Sequence, residues 1–197
     1  MLETSPRLFH EYRMMMGNWY AYRCSDFDLN THRADLALDL QNIDLPKATV
    51  DVVLTPHVLE HVPDTEKALS EVHRILAPKG RMYLQVPLLQ GVTARPLTEE
   101  YHADHTLVHW RFGWGLTEVL RRSGFGVRVL VPATFKTMLE EGVKSSGESA
   151  GEFDLASMRA AAVISDLDAV LTPAAARRLG AEPPYHFVVW ECVRREG

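Results

Sequence analysis

His57, Glu60 and His61 stand in the order H-x-x-E-H. Within one helix, that spacing puts two imidazoles on the same face to hold a zinc ion, with the carboxylate as base. The stretch "EEYHADHTLVHW" adds His102, His105 and His109, so a wider set of imidazole and carboxylate ligands for zinc, iron or manganese is also available. Two prolines argue against the helical arrangement. Pro56 precedes the motif and Pro63 follows it, leaving about two turns at most. The spacing alone therefore leaves two readings of the motif: metal ligands, or a turn whose polar groups serve the fold.

A second constellation is spread over a longer stretch. Asp26 follows the strand-like run WYAYRC, and Asp39, with Leu40 beside it, follows the weaker strand Ala34–Leu38. Acids that leave successive parallel strands suit an adenosyl ligand: one accepts from the ribose hydroxyls, the other meets the adenine edge, and an apolar neighbour walls the ring. Each aspartate alone is equally an ordinary turn or helix cap.

These residues need a sheet to position them, and the rest of the chain supplies one. Short β-rich runs alternate with amphipathic helices, which predicts a doubly wound, mostly parallel α/β sheet of seven-stranded type with helices on both faces. The run Val50–Leu54 (VDVVL) reads as a strand buried on both faces. Asp64 then caps a helix whose apolar Ala68, Leu69, Val72, Ile75 and Leu76 recur at helical spacing, with Pro78 and Gly80 as its stop. Arg81–Val86 is a strand, and Gly113–Arg122 is a helix closed by Gly124 that feeds the strand Gly126–Val131. Residues 142–152 have loop composition, Ala156–Leu171 reads as mostly helical, Thr172 and Pro173 open a short helix to Gly180, and Tyr185–Arg194 is a closing strand. Met14, Met15 and Met16 are expected to pad the first helix against the sheet, and Trp110, Trp114 and Trp190 to serve as core or pocket wall.

Two stretches carry a family resemblance. "VDVVLTPHVLEHVPDTEKALSEVHRILAPKGRMYLQVP" resembles the fourth and fifth strand region of class I S-adenosylmethionine-dependent methyltransferases, in particular the methyltransferase type 11 group. The upstream "YRCSDFDLNTHRADLALDLQNIDLP" is similar to that group's second and third strands, and "WRFGWGLTEVLRRSGFGVRVLVP" to its helix and sixth strand. The resemblance implies a Rossmann-like fold, S-adenosylmethionine as cofactor and methyl transfer to a small-molecule or modest polar acceptor. Residue by residue, it implies Asp26 with Phe27 at the ribose, Asp39 with Leu40 at the adenine, and Thr55, Pro56 and His57 in the loop facing cofactor and acceptor. The family's acid-x-Gly-x-Gly-x-Gly loop is missing. Glu3 stands in the acid's place, with Thr4, Ser5 and Pro6 where glycines would allow close approach of the cofactor's methionine part, so Ser5 is the expected variant contact. Only Met1 and Leu2 precede Glu3, and the first strand is expected to be shortened.

Methyl transfer draws mainly on alignment, and a base is needed only where the acceptor must lose a proton. His57, His61 and His105 are the candidates for it. The segment Thr93–Phe112, rich in histidine and acids, is expected to set acceptor specificity as a lid. Two rivals stand beside this reading: a degenerate domain of the same fold that binds or regulates, favoured by the altered first loop, and a metal-dependent enzyme using His57, Glu60 and His61.

Bulk properties agree with one globular domain over 1–197: 46% hydrophobic and 24% charged residues are ordinary values. A net charge of −5 gives no electrostatic footprint for long nucleic acids. No run reaches the ~18 apolar residues of a membrane span, and "MLETSPRLFHEY" lacks a signal peptide's apolar core. A cytoplasmic location with reduced Cys24 and Cys192 is expected. The sequence leaves homo-oligomer formation open.

Overall fold

The apolar stripe of residues 65–75 folds as the sequence predicts, and it locates the core. In the computed structural model, helix Thr65–Ile75 buries Ala68, Leu69, Val72 and Ile75, and the Asp64 carboxylate accepts from the Lys67 amide at 3.0 Å. Burying side chains such as Leu69, Val72 and Ile75 contributes about 1.5–3 kcal/mol each, and the cap about 1 kcal/mol. The structure describes residues 1–6, 10–29, 33–102, 105–141, 154–171, 174 and 188–196.

In chain order the elements are β1 (Leu2–Thr4), α1 (His10–Trp19), β2 (Arg23–Asp26), β3 (Leu36–Ala37), β4 (Val50–Pro56), a short 3-10 turn (Leu59–His61), α2 (Thr65–Ile75) and β5 (Leu76–Gln85). They continue with α3 (Leu116–Arg122), β6 (Phe125–Pro132), α4 (Ala133–Glu141), α5 (Leu155–Ala161), a second 3-10 turn (Ile164–Asp166), β7 (Leu167–Leu171) and β8 (Val189–Arg194). The eight strands form one sheet in the order β3-β2-β1-β4-β5-β8-β6-β7. Every pairing is parallel except those of β8, which lies antiparallel between β5 and β6. The sheet is thus doubly wound and mostly parallel, as expected, with eight strands among the described residues.

Strand order reverses between β1 and β4, which pair Leu2 with Val53 and Glu3 with Leu54. From there the chain steps outward through β2 and β3 on one side and through β5 on the other, so the loops leaving β1 and β4 diverge. A crevice opens at their carboxyl ends. The core runs beneath it through Val53, Leu84, Trp190, Val129 and Val131, all at most 1% exposed.

Several expectations are corrected by tertiary packing. Trp19 does not open a strand; it ends α1 and stands 78% exposed, and β2 begins only where Arg23 pairs with Leu2. The methionines do not pad that helix, since α1 buries no residue and Met14 and Met15 are about half exposed. Pro78 and Gly80 do not end α2, which has already stopped at Ile75. They shape a bulge in β5, where Val50 pairs with Leu76 but Val52 pairs with Arg81. A Cβ on Gly80 would lie 2.8 Å from the Ala77 carbonyl oxygen, so the bulge requires glycine. The span Ala156–Leu171 is not mostly helical. Ala162 turns extended after α5, and Leu167–Leu171 pairs with β6 as a parallel edge strand, placing Asp168 2.9 Å from Arg128. The helix predicted from Gly113 starts at Leu116, and the strand predicted over Ala34–Leu38 shrinks to Leu36–Ala37. The loop 142–152, residues 185–187 and, apart from Ala174, the helix expected over 172–180 lie outside the described residues. Both cysteines are free and buried, and no described helix is long and apolar enough to cross a membrane.

Glu191 on β8 is the most heavily paired acid in the sheet. It is 5% exposed, lies 2.5 Å from Arg81 Nη1 and 2.9 Å from Arg128 Nη1, and accepts from the Tyr83 hydroxyl at 3.1 Å. Burial pushes its carboxyl up, but the hydrogen bonds from Tyr83 and Arg81, the Arg81 charge and the Arg128 bond together outweigh it and hold the pKa below the usual 4.5. A lowered carboxylate pKa stabilises the fold above the unfolded value and ceases to do so as pH falls through the folded one. Glu191→Gln is therefore expected to be less stable than the parent at neutral pH, with the gap narrowing below about pH 4.5. Urea denaturation on both sides of that pH checks it; a constant gap would show that charge contributes nothing.

Candidate active site

The crevice at the switch point is a cleft of about 520 Å³, within the size range of small-ligand sites. Thr4 and Ser5 reach it from the end of β1, Asp26 and Phe27 from β2, Asp39 and Leu40 from the turn after β3, and His57 and His61 from the segment after β4. Seven residues singled out in the sequence, Ser5, Asp26, Phe27, Asp39, Leu40, His57 and His61, are thereby brought to one place. Four others are not in its lining. Glu3 is 4% exposed within β1 and accepts a 2.6 Å hydrogen bond from the Tyr22 hydroxyl, so it faces that ring rather than the cleft. Thr55 is buried in β4 and Pro56 ends that strand. His105 is exposed, and it is the adjacent Thr106 that meets the cleft.

Local bonds aim the two aspartates. Asp26 Oδ1 accepts from the Asp28 amide at 3.2 Å, and Asp39 Oδ1 from the Gln41 amide at 2.8 Å. Each carboxylate closes its own turn while standing at the cleft, so the turn role and the ligand role are compatible. Phe27, 79% exposed, adds an apolar face beside Asp26.

The turns out of β1 and β4 carry a feature with no composition signal. Ser5 has φ 47° and His57 φ 53°, both in the left-handed region, which costs a non-glycine residue about 1–2 kcal/mol. Each is held there from outside: the Ser5 amide donates to the Ser25 carbonyl at 2.7 Å and the His57 amide to the Gln85 carbonyl at 2.8 Å. Strain held in this way gathers at functional sites. At Ser5 it falls where glycines were expected, so the tight turn is kept without the glycine.

The H-x-x-E-H segment is not one helix. His57 sits in the strained turn and only Leu59–His61 form a single 3-10 turn, so the two histidines do not share a helical face. Glu60 is 1% exposed; its Oε1 lies 3.8 Å from both His57 Nδ1 and His61 Nε2. His61 Nδ1 lies 2.7 Å from the Leu107 carbonyl oxygen.

The described parts of the segment Thr93–Phe112 pair with each other and dock on this turn. Ala94 bridges Arg111 and Tyr101 bridges Leu107, and the Glu60 carbonyl accepts from the His109 and Trp110 amides at 2.8 and 3.1 Å. At its base the backbones of Gly91 and Gly113 touch: a Cβ on Gly113 would lie 2.3 Å from the Gly91 carbonyl oxygen. A second groove of about 480 Å³, lined by Arg95, Trp110 and Phe112, adjoins the first at Pro63, with the Arg95 guanidinium 4.2 Å above the Trp110 ring.

Sheet order, switch-point cleft and paired aspartates are now joined by sequence and structural likeness. Residues 21–84, from just before β2 into β5, match a family described as a methyltransferase domain. The solved structure of an S-adenosylmethionine dependent methyltransferase from Mesorhizobium loti is similar over 98% of this chain and 90% of its own, with a TM-score of 0.54 and 16% identity. This is the class I methyltransferase fold. A 1,6-didemethyltoxoflavin-N1-methyltransferase from Burkholderia thailandensis, solved with bound 1,6-didemethyltoxoflavin and S-adenosylhomocysteine, is similar over 99% of this chain and 70% of its own, at TM-score 0.50 and 16% identity. An uncharacterized 37.1 kDa protein in transposon TN4556 of Streptomyces fradiae is 29% identical over 104 residues, covering 49% of this chain. The chain spans 30% of the length of that relative. The methyltransferase-domain match begins after β1 and its glycine-free loop, so the part of the cleft formed by Ser5 rests on the geometry alone.

Proposed function

We propose that the chain binds S-adenosylmethionine in the switch-point cleft and transfers its methyl group to a small-molecule or modest polar acceptor. The observation that carries this reading is the meeting of Asp26 and Asp39, which leave successive strands, in one cleft with His57 and His61. Asp26 accepts from the ribose hydroxyls, Asp39 meets the adenine edge with Leu40 as the apolar wall, and Ser5 offers the turn for the methionine part. When bound, the cofactor supplies a methyl group already activated on a sulfonium. The protein's part is to align the acceptor with it and, where needed, to take a proton. His57 and His61 line the cleft and can do so; His105 does not reach it. The adjoining groove at Trp110 and Arg95 is the natural seat for the acceptor, whose class is that of a planar or anionic small molecule. The 1,6-didemethyltoxoflavin bound to the Burkholderia thailandensis N1-methyltransferase supports a small-molecule acceptor.

The altered first loop favours a second reading, a binding or regulatory domain of the same fold. Calorimetric titration of the full chain with S-adenosylmethionine and S-adenosylhomocysteine, followed by transfer of labelled methyl to a panel of planar and anionic acceptors, separates the two. The enzyme gives saturable binding at about one ligand per chain and labelled product. Binding without any product supports the regulatory domain, and no heat with either ligand overturns the cofactor assignment.

A further inference from the structure

We infer that the face of the sheet turned away from α2, α3, α4 and α5 is a contact surface for a second copy of this chain. Strand register defines that face. Leu54 on β4 pairs with Tyr83 on β5, Tyr83 with Glu191 on β8, and Glu191 with Arg128 on β6. Two residues along, Val189 pairs with Leu130 and Leu130 with Asp168 on β7. Residues in register share a face, and so do residues two apart in one strand, which adds Arg81 and Val193.

Four helices gather on the opposite face, where Trp190 points. The Trp190 indole donates to Thr117 of α3, and α2 buries Leu69 and Val72 in the core that holds Trp190. Trp114, just before α3, stacks on Phe135 of α4 and donates to the Met158 carbonyl of α5. Only α1, among the described helices, is on the other side, at its β1 end: Tyr12 packs edge to face on Tyr22, whose hydroxyl reaches Glu3, and Glu3 is in register with Leu54. Over β4, β5, β8, β6 and β7 no described helix covers this face, and Leu54, Leu130, Val189 and Val193 stay only partly buried. Sheets built mainly of parallel strands are found with both faces covered.

The order of charges selects the cover. Across the strands Arg81, Glu191, Arg128 and Asp168 alternate in sign, linked in turn at 2.5, 2.9 and 2.9 Å. Such a line is complementary to itself. A two-fold axis lying in the contact plane, across the midpoint of the line, reverses it. Arg81 then meets the second copy's Asp168, and Glu191 meets the second copy's Arg128. Arg81, Arg128 and Asp168 are each about half exposed. A guanidinium has five donors and a carboxylate about four acceptor sites, so pairing within a copy leaves capacity for pairing between copies. A uniformly acidic or basic partner meets repulsion at every second position. The five strands at about 4.8 Å spacing, with about six residues of about 3.3 Å each, present about 20 by 20 Å. That size fits a weak, concentration-dependent dimer. The surface lies on the flank of the sheet, so it stands whether or not the cleft takes S-adenosylmethionine.

Sedimentation velocity of the full chain, over about a hundredfold range of concentration, tests the contact. A reversible monomer–dimer equilibrium is expected. Asp168→Arg sets like charges against Arg81 at both ends of the line and is expected to weaken the dimer at least about tenfold. Arg81→Glu does the same from the other end. Mixing the two variants restores opposite charges at both ends of the heterodimer, so the mixture is expected to associate about as tightly as the parent. Asp168 is on an edge strand and Glu191 keeps both of its arginines without it, so Asp168→Arg alone carries the test where Arg81→Glu disturbs folding. Melting curves show which variants are folded. A parent that stays monomeric over the whole range, a dimer that Asp168→Arg leaves unchanged, or a mixture of folded variants that associates no better than either one overturns the contact.

Discussion

Asp26→Ala is expected to weaken S-adenosylhomocysteine binding at least about 100-fold, a loss of about 2.7 kcal/mol. Asp26 ends β2 at the cleft, half-buried, and its Oδ1 is already oriented by the Asp28 amide at 3.2 Å. A carboxylate pre-set in this way meets ribose hydroxyls with little further ordering cost. Hydrogen bonds to a charged group contribute about 1.5–3 kcal/mol each, so losing two of them exceeds the predicted threshold even after water replaces part of the interaction. Asp26→Asn keeps the shape and an acceptor for the Asp28 amide but gives up the charge, and is expected to fall between parent and alanine variant. The substitution is at the surface end of the strand, so urea stability should change by no more than about 1 kcal/mol. Calorimetry of the three chains decides the matter. Equal affinities would remove Asp26 from the site, and with it the reason for placing the nucleoside between β2 and β3.

How much of this was legible without coordinates depends on whether the signal is local. Helix Thr65–Ile75 is readable because its cap and its apolar stripe lie within a dozen residues of each other, and Asp26 and Asp39 are readable because each directly follows a strand. Edge elements are less so. Leu167–Leu171 (LDAVL) has no clean alternation and a helical pattern precedes it; what makes it a strand is its parallel pairing with β6. Trp19 and Tyr20 have strand propensity, yet the register of β1 against β2 is set from Leu2↔Arg23 onward, leaving them outside the sheet. His102 is 41 positions beyond His61 in the numbering, and only the docking of Leu107, His109 and Trp110 brings the two rings together.

The strained turns were hidden for a different reason. A glycine announces a left-handed turn, whereas serine and histidine do not, and Ser5 and His57 reach positive φ only because amide bonds to Ser25 and Gln85 hold them there. The missing glycine loop and the retained turn are therefore separate facts. Serine stands at this turn, without the bare backbone that glycine would give a ligand, while the chain direction that opens the crevice is the same. On the proposed reading, a cofactor bound here meets the Ser5 side chain where the resembled family has glycine, which places the burden of affinity on the two aspartates.

That burden is met only if the strands stay in place, and the residue that most secures them is Trp190. It lies on β8 with no exposed surface, in register with Leu84 on one side and Val129 on the other, and its indole N–H donates to the Thr117 hydroxyl of α3 at 3.0 Å. One side chain thus joins both antiparallel seams of the sheet to the helix that covers them. Trp190→Ala is expected to cost about 3–5 kcal/mol, from lost apolar burial and the cavity left behind, a large part of the 5–15 kcal/mol that a domain typically has in hand. In a chain of this length that lowers the melting temperature by on the order of 10 °C. Trp190→Phe refills most of the volume and removes the indole hydrogen bond, so it should lose much less. Thermal denaturation of the three chains gives the comparison. An alanine variant that melts with the parent would mean that β8 is not the seam between β5 and β6, and the two halves of the sheet would have to be joined in some other way.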